Sequence, residues 1–178
     1  MSARLDYLPA EQSFLDPVRA DADQPASARA VLVPFGLEAS VSYGSGTAAG
    51  PGAILRASHQ LELYDEELGR EAYLDYGVAA VREPPIAMPI EAALDQLARL
   101  VEDVLAAGKF PFVLGGEHAL TAGAIRPLLA RQPELVVVQF DAHADLRDGY
   151  LGERYSHAAA MRRVLDHKGV SLIQLGIR

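Results

Sequence analysis

Cysteine is absent from this sequence. That excludes a disulfide framework, a thiolate zinc centre and a cysteine nucleophile, and it is compatible with a reducing compartment. No apolar run approaches the roughly 20 residues of a membrane span. The first residues, M-S-A-R-L-D-Y, lack the apolar centre of a signal peptide. A cytoplasmic protein with no membrane partner is the expectation. Excess positive charge is missing too: the formal net charge is −8, which argues against nucleic acid as a partner and would mildly attract a small cation. No internal repeat is found. The Gly-rich stretch from Gly36 to Gly52 contains neither Gly-Lys-Ser/Thr nor G-x-G-x-x-G, so it reads as a conformational loop and not as a phosphate cradle.

What is present describes one soluble domain. The chain has 178 residues, 50 % of them hydrophobic and 22 % charged, enough to bury a sizeable core. Residues 1–28 carry Pro9, Pro17 and Pro25 without a sustained period and read as an extended arm, on the surface or on a neighbouring subunit. Ala30 to Phe35 is a compact apolar strand whose end Pro34 marks. Pro51 opens a helix through Ile54, Leu55, Ala57, Ser58 and Leu61, with Gly69 as its stop and His59 as an ordinary helix histidine. Asp75 to Val81 reads as a second strand. From Ile90 to Ala107 apolar residues recur every three or four positions, an amphipathic helix that Gly108 ends. Phe110 to Leu114 is a third strand, followed by a helix from Ala119 to Leu129 interrupted near Pro127. Ser156 offers an N-cap to a helix through Met161, Val164 and Leu165, and Leu172 to Leu175 is a last strand. Strands alternating with helices imply a mainly parallel sheet with helices on both faces.

Val136 to Asp145 reads V-V-V-Q-F-D-A-H-A-D. An apolar strand here runs into Asp141, His143 and Asp145 at every second position. Residues i and i+2 of an extended strand face one side about 6.5–7 Å apart, so the triplet can address one cluster. Two carboxylates this close resist ionisation unless a cation neutralises them, which points to a metal. An Asx-turn with a capping Asp and a surface His is the alternative. In a parallel sheet the carboxyl ends of the strands share one edge, so His118, just after the third strand, can join the cluster. Gly115 and Gly116 allow a tight exit turn there and close approach of backbone to a ligand.

L-G-G-E-H at Leu114 to His118, F-D-A-H-A-D at Phe140 to Asp145 and Y-S-H-A-A-A-M-R-R at Tyr155 to Arg163 together resemble the first motifs of the ureohydrolases, the arginase, agmatinase and formimidoylglutamase family. V-P-F at Val33 to Phe35 and G-P-G-A-I-L-R-A-S at Gly50 to Ser58 are similar to the family's first strand and following helix. The resemblance implies a three-layer α/β/α arginase-like fold, with the first three strands on one side of the sheet, the fourth to sixth on the other and the last two between. It implies two manganese ions: His118 and Asp145 on the first, His143 on the second, and Asp141 bridging both. N and O donors suit Mn²⁺. Asp145 would relay a proton to the leaving amine, and His157, near the mouth, would shuttle protons; a structural hydrogen bond is the plainer role for His157. Glu117 stands where the family usually has Asp, and Ser156-His157-Ala158-Ala159 replaces Ser-His-Gly-Thr.

The Y-S-H-A run with M-R-R resembles agmatinase-type members. The implied reaction is hydrolysis of agmatine to putrescine and urea, a step in polyamine synthesis, by a homo-oligomer (trimer or hexamer) taking a small cationic guanidino substrate. Arginine, guanidinobutyrate or formimidoylglutamate are the alternative substrates, and a non-catalytic fragment or assembly subunit is the third reading. The family's later Asp-x-Asp pair of metal ligands has no counterpart. The resemblance therefore implies that residues 29–178 form the N-terminal part of a catalytic domain, cut off after about five strands and inactive alone.

Overall fold

The computed structural model describes residues 5–15 and 25–178. Its framework is two parallel sheets. In the first, β1 (Ala30–Phe35) lies between β2 (Val78–Ala80) and β3 (Phe110–Gly115); in the second, β4 (Leu135–Phe140) pairs with β5 (Val170–Leu175). The helices are α1 (Gly50–Ser58), α2 (Tyr73–Tyr76), α3 (Ile90–Ala106), α4 (Thr121–Ala124), α5 (Arg126–Arg131) and α6 (Ala160–Leu165).

The period-2 pattern of β1 explains why its sheet is covered on both faces. Val31, Val33 and Phe35 pack with Leu94, Leu97, Val101 and Val104 of α3. Leu32 points the other way, to Leu55 of α1, Ala80 and Leu114. Full burial of each such side chain stabilises by about 1.5–3 kcal/mol, so this run holds both helices to the sheet. Pro34 does not end the strand. Pairing with β2 stops at Leu32, whereas pairing with β3 continues to Phe35, so the residue without an N–H sits where β1 has lost one neighbour.

The long amphipathic helix is found where its period places it. It ends in a turn in which the Gly108 N–H donates to Leu105 O at 3.0 Å and the Lys109 N–H to Val104 O at 3.2 Å. Gly108 has φ 72°, the left-handed value this terminator needs. A Cβ at Gly108 would meet nothing within 4 Å, so the whole cost of Gly108→Ala is conformational. Chemical denaturation is expected to show a loss of about 1–2 kcal/mol; an unchanged midpoint would mean the turn relaxes without penalty.

Several expectations are corrected. The first helix stops at Ser58, well before Leu61, where the backbone tightens to i→i−3 hydrogen bonds; the Ser58 hydroxyl donates to Leu55 O and accepts the Leu15 N–H. His59, just past that end, contacts Ser13 O through Nε2 at 3.0 Å, a structural role. The second strand is shorter than expected: Tyr73–Tyr76 is helical, and Gly77 at φ 61° turns the chain into β2. The helix after β3 is divided at Ile125 into α4 and α5, with Pro127 in the first turn of α5. Within the expected arm, residues 5–15 lie on this chain's own sheet: Leu8 N–H donates to Ala80 O at 2.9 Å and Tyr7 bridges Val81. Residues 1–4 and 16–24 of that segment are outside the described residues.

Helices were expected on both faces of the sheet, but β4 is covered on one. Leu135 and Val137 pack with Ile125, Met161 and Val164, whereas Val136, Val138 and Phe140 are exposed, Phe140 at 80 %. Among the described residues no element covers that second face. The two sheets are joined through their helices: Gly123 of α4 lies so close to α3 that a Cβ there would be 2.6 Å from Leu94 O. No helix of the described residues is long and apolar enough to cross a membrane.

Candidate metal centre

β3 and β4 leave their sheets on the same edge. Gly115 and Gly116 carry the chain from β3 into a short 3-10 turn, His118–Leu120. The close approach that Gly116 permits is to the protein's own backbone: a Cβ there would lie 2.2 Å from Leu37 O. The turn also brings in Glu117, 4 % exposed, whose carboxylate accepts the N–H groups of Ala39 and Ser40 and the Ser40 hydroxyl at 2.7, 2.6 and 2.6 Å. Glu117 thus anchors the loop after β1 and leaves His118 facing outward.

His118, Asp141 and Asp145 converge, each offering an atom within 4.8 Å of the others. His118 Nδ1 is 2.5 Å from Asp145 Oδ2 and 3.9 Å from Asp141 Oδ2. Side-chain exposures of 27 %, 28 % and 12 % for His118, Asp141 and Asp145 leave the group open on one side only. One imidazole nitrogen and two carboxylates suit a hard or borderline divalent cation such as Mn²⁺. His118 Nδ1 and Asp145 Oδ2 are within hydrogen-bond distance of each other.

His143 stands apart. β4 ends at Phe140, so the alternation does not extend through 141–145, and Asp145 has φ 50°. The His143 side chain is 80 % exposed. Asp141 Oδ1 accepts the His143 N–H at 2.7 Å, which is the Asx-turn geometry, and it lies 3.5 Å from His143 Nδ1. Asp141 is therefore shared: Oδ2 turns to His118 and Oδ1 to His143. The His143 N–H holds the Asp141 carboxyl below the usual carboxylate range, helped by Gln139 and by the charges of His118 and His143, while burial works against the shift.

Residues that the sequence did not single out hold the 141–145 turn. Gln139, 7 % exposed, donates to His143 O at 3.1 Å, and Gln174 donates to Gln139 Oε1 at 2.6 Å and to Ala144 O at 2.7 Å. These glutamines are register partners on β4 and β5. Part of the signal was available: Gln139 is the one polar residue of an otherwise apolar β4, and the two glutamines together satisfy carbonyls that would be left without donors. The Arg162 N–H donates to Asp145 O at 3.1 Å. Arg163, 3 % exposed, donates to Asp148 O and Oδ1 at 3.1 and 2.6 Å and contacts Asp166. Arg163 holds the Asp148 carboxyl below its ordinary range.

The cluster forms part of the floor of an open cleft of about 900 Å³ whose walls include Ser42 and Tyr43 of the Gly-rich loop, Arg147, Tyr150 and His157. Glu38 closes that loop, accepting from Gly46 N, Thr47 Oγ1 and Ala48 N at 2.8–2.9 Å. As expected, Ser156 caps the next turn, accepting the Ala158 N–H. The ring of His157 meets Tyr150 edge-on, centroids 6.0 Å apart, and the guanidinium of Arg147 lies 5.0 Å from the Tyr150 centroid.

The arginase family profile matches residues 28–178. An N(1)-aminopropylagmatine ureohydrolase of Synechocystis sp. is 40 % identical over 163 residues, covering 86 % of this chain and 52 % of that protein. An agmatinase of Bacillus subtilis is 35 % identical over 153 residues, covering 85 % of this chain and 52 % of its own length. The crystal structure of a putative agmatinase from Clostridium difficile superposes with a TM-score of 0.80 at 25 % identity, over 87 % of this chain and 56 % of that one. The chain thus spans about half the length of the curated relatives it matches. On the match over residues 28–178 and the shared arrangement of strands and helices, this chain belongs to the arginase family.

Proposed function

We propose that the protein is a manganese-dependent ureohydrolase that cleaves agmatine to putrescine and urea. The observation that carries the reading is the convergence of His118, Asp141 and Asp145 at the open end of two parallel strands, with Asp141 turning one oxygen to each side. In this reading His118 and Asp145 would hold a first ion, His143 would hold a second, and Asp141 would contribute to both. Manganese, when bound, supplies Lewis acidity and brings the pKa of water towards neutrality.

The protein's own groups divide the remaining work. Water adds to the guanidinium carbon and gives up a proton to the Asp145 carboxylate, which passes it to the departing amine as the C–N bond to the diamine breaks, leaving urea. His157, on the cleft wall, exchanges protons with solvent. A closely related substrate has separate support. The 40 % identical relative is named for N(1)-aminopropylagmatine, a longer cation with the same guanidino end. Urea release from the two compounds, measured with the protein expressed from its native gene and loaded with manganese, separates them. Urea from neither would remove the proposal.

His157→Asn is expected to lower turnover by about 10²-fold or more with manganese content unchanged, because proton transfer sets a rate whereas coordination sets occupancy. Metal analysis beside steady-state kinetics checks this, and lost manganese would make His157 a ligand instead.

A further inference from the structure

We propose that Glu117 and Ser40 are positioning residues that fix which ring nitrogen of His157 carries its proton. The purpose of this arrangement rests on the proton-exchange role given to His157 above, but the arrangement itself follows from hydrogen-bond counting. A serine hydroxyl has one proton to donate and two lone pairs with which to accept. The Ser40 hydroxyl lies 2.6 Å from Glu117 Oε1. An ionised carboxylate only accepts, so the single Ser40 proton is committed to Glu117.

The rest of Ser40 Oγ can then only accept. It takes the backbone N–H of His157 at 2.9 Å. Its remaining lone pair faces His157 Nδ1 at 3.2 Å. Two acceptors facing each other would repel, so Nδ1 must bear the hydrogen. Neutral His157 is therefore the Nδ1–H tautomer, and Nε2 keeps a lone pair. Nε2 is near the exposed Ser42 hydroxyl, at 3.5 Å. The nitrogen on the Ser42 side of the ring is thus free to take up a proton and give it back.

Two competitors bear on this. Ser156 Oγ is 3.4 Å from the same Nδ1 and could donate to it, which would favour the opposite tautomer. That contact is longer than the 3.2 Å Ser40 contact; the Ala158 N–H occupies a lone pair of Ser156 Oγ and leaves its proton uncommitted, so the assignment rests on the shorter Ser40 contact. Tyr150 meets the ring by its edge and decides neither nitrogen. The Glu117 carboxylate is buried and held by three donors from residues 39 and 40, so it cannot swing away to release the Ser40 proton.

The test is a long-range ¹⁵N–¹H spectrum of histidine-labelled, metal-free protein at a pH where His157 is neutral, with its signals assigned by loss in His157→Gln. The wild type is expected to show a protonated Nδ1 and an unprotonated Nε2. Glu117→Gln should reverse this: the amide oxygen takes the two backbone N–H groups, the amide NH₂ donates to Ser40, and the freed hydroxyl proton turns to Nδ1. A purely structural role for Glu117 predicts no reversal. Ser40→Ala should lose the Nδ1–H preference and Ser40→Thr should keep it. A wild-type Nε2–H tautomer overturns the proposal even if no variant folds. So does a folded Glu117→Gln protein with Nδ1 still protonated. Because the spectrum needs neither manganese nor substrate, its failure is distinct from failure of the proposed reaction.

Discussion

Asp145→Asn is expected to lower manganese affinity by more than about 100-fold and to abolish urea release, with the fold intact. Losing an outer partner of a metal ligand costs about 10–100-fold; losing the charge of a proposed ligand should cost more. Asn is the informative replacement because Asp145 sits at φ 50°, a left-handed conformation that Asn and Asp tolerate better than other side chains. An alanine there would confound lost charge with backbone strain. The carbonyl of residue 145 would still accept the Arg162 N–H, so the turn should survive.

The metal-free protein gives this prediction its sign. Asp141 and Asp145 stand close together around one imidazole, so without a cation the two carboxylates repel each other. Removing one carboxylate charge relaxes that repulsion. Metal-free Asp145→Asn should be no less stable than wild type, while calorimetric titration with Mn²⁺ shows the loss. Unchanged affinity in a folded variant would take Asp145 out of the site.

Periodicity made most of the framework legible. The alternating run of Ala30 to Phe35 and the three-and-four spacing from Ile90 are each set by one dominant burial pattern, and both elements are found. The helix after Pro51 was drawn too long because its apolar spacing runs on to Leu61, whereas the backbone past Ser58 tightens to i→i−3 hydrogen bonds, and no local spacing reports that Ser58 meets Leu15, 43 residues away. The open face of β4 was misjudged because an apolar run says that a strand can be covered on both sides, not what covers it. At the site, His118, Asp141 and Asp145 converge as their positions at strand ends imply. His143 does not join them, because the strand rule was carried past Phe140 into a turn governed by Asp141. Ser40 carried no signal in isolation; its significance depends on Glu117 and His157, 77 and 117 residues away.

Gly116→Ala is expected to cost about 3 kcal/mol of stability, the upper end of the range for overpacking, and to weaken metal binding as well. An added Cβ would lie 2.2 Å from Leu37 O and 3.0 Å from Leu37 C and N. All three atoms are backbone, so no rotamer change can make room. The segments after β1 and β3 must separate, and their separation breaks the hydrogen bond from Glu117 N–H to Leu37 O, 2.8 Å in the wild type. Glu117 could not then keep its three contacts to residues 39 and 40, and His118, the next residue, would leave its place beside Asp145. One methyl group is therefore expected to lower both the unfolding free energy and the affinity for Mn²⁺. Denaturant titration and calorimetry on the same sample measure the two. A stable variant with normal manganese binding would show that the L-G-G-E-H turn has room the structure does not contain. A destabilised variant with normal binding would separate the packing of Gly116 from the placement of His118.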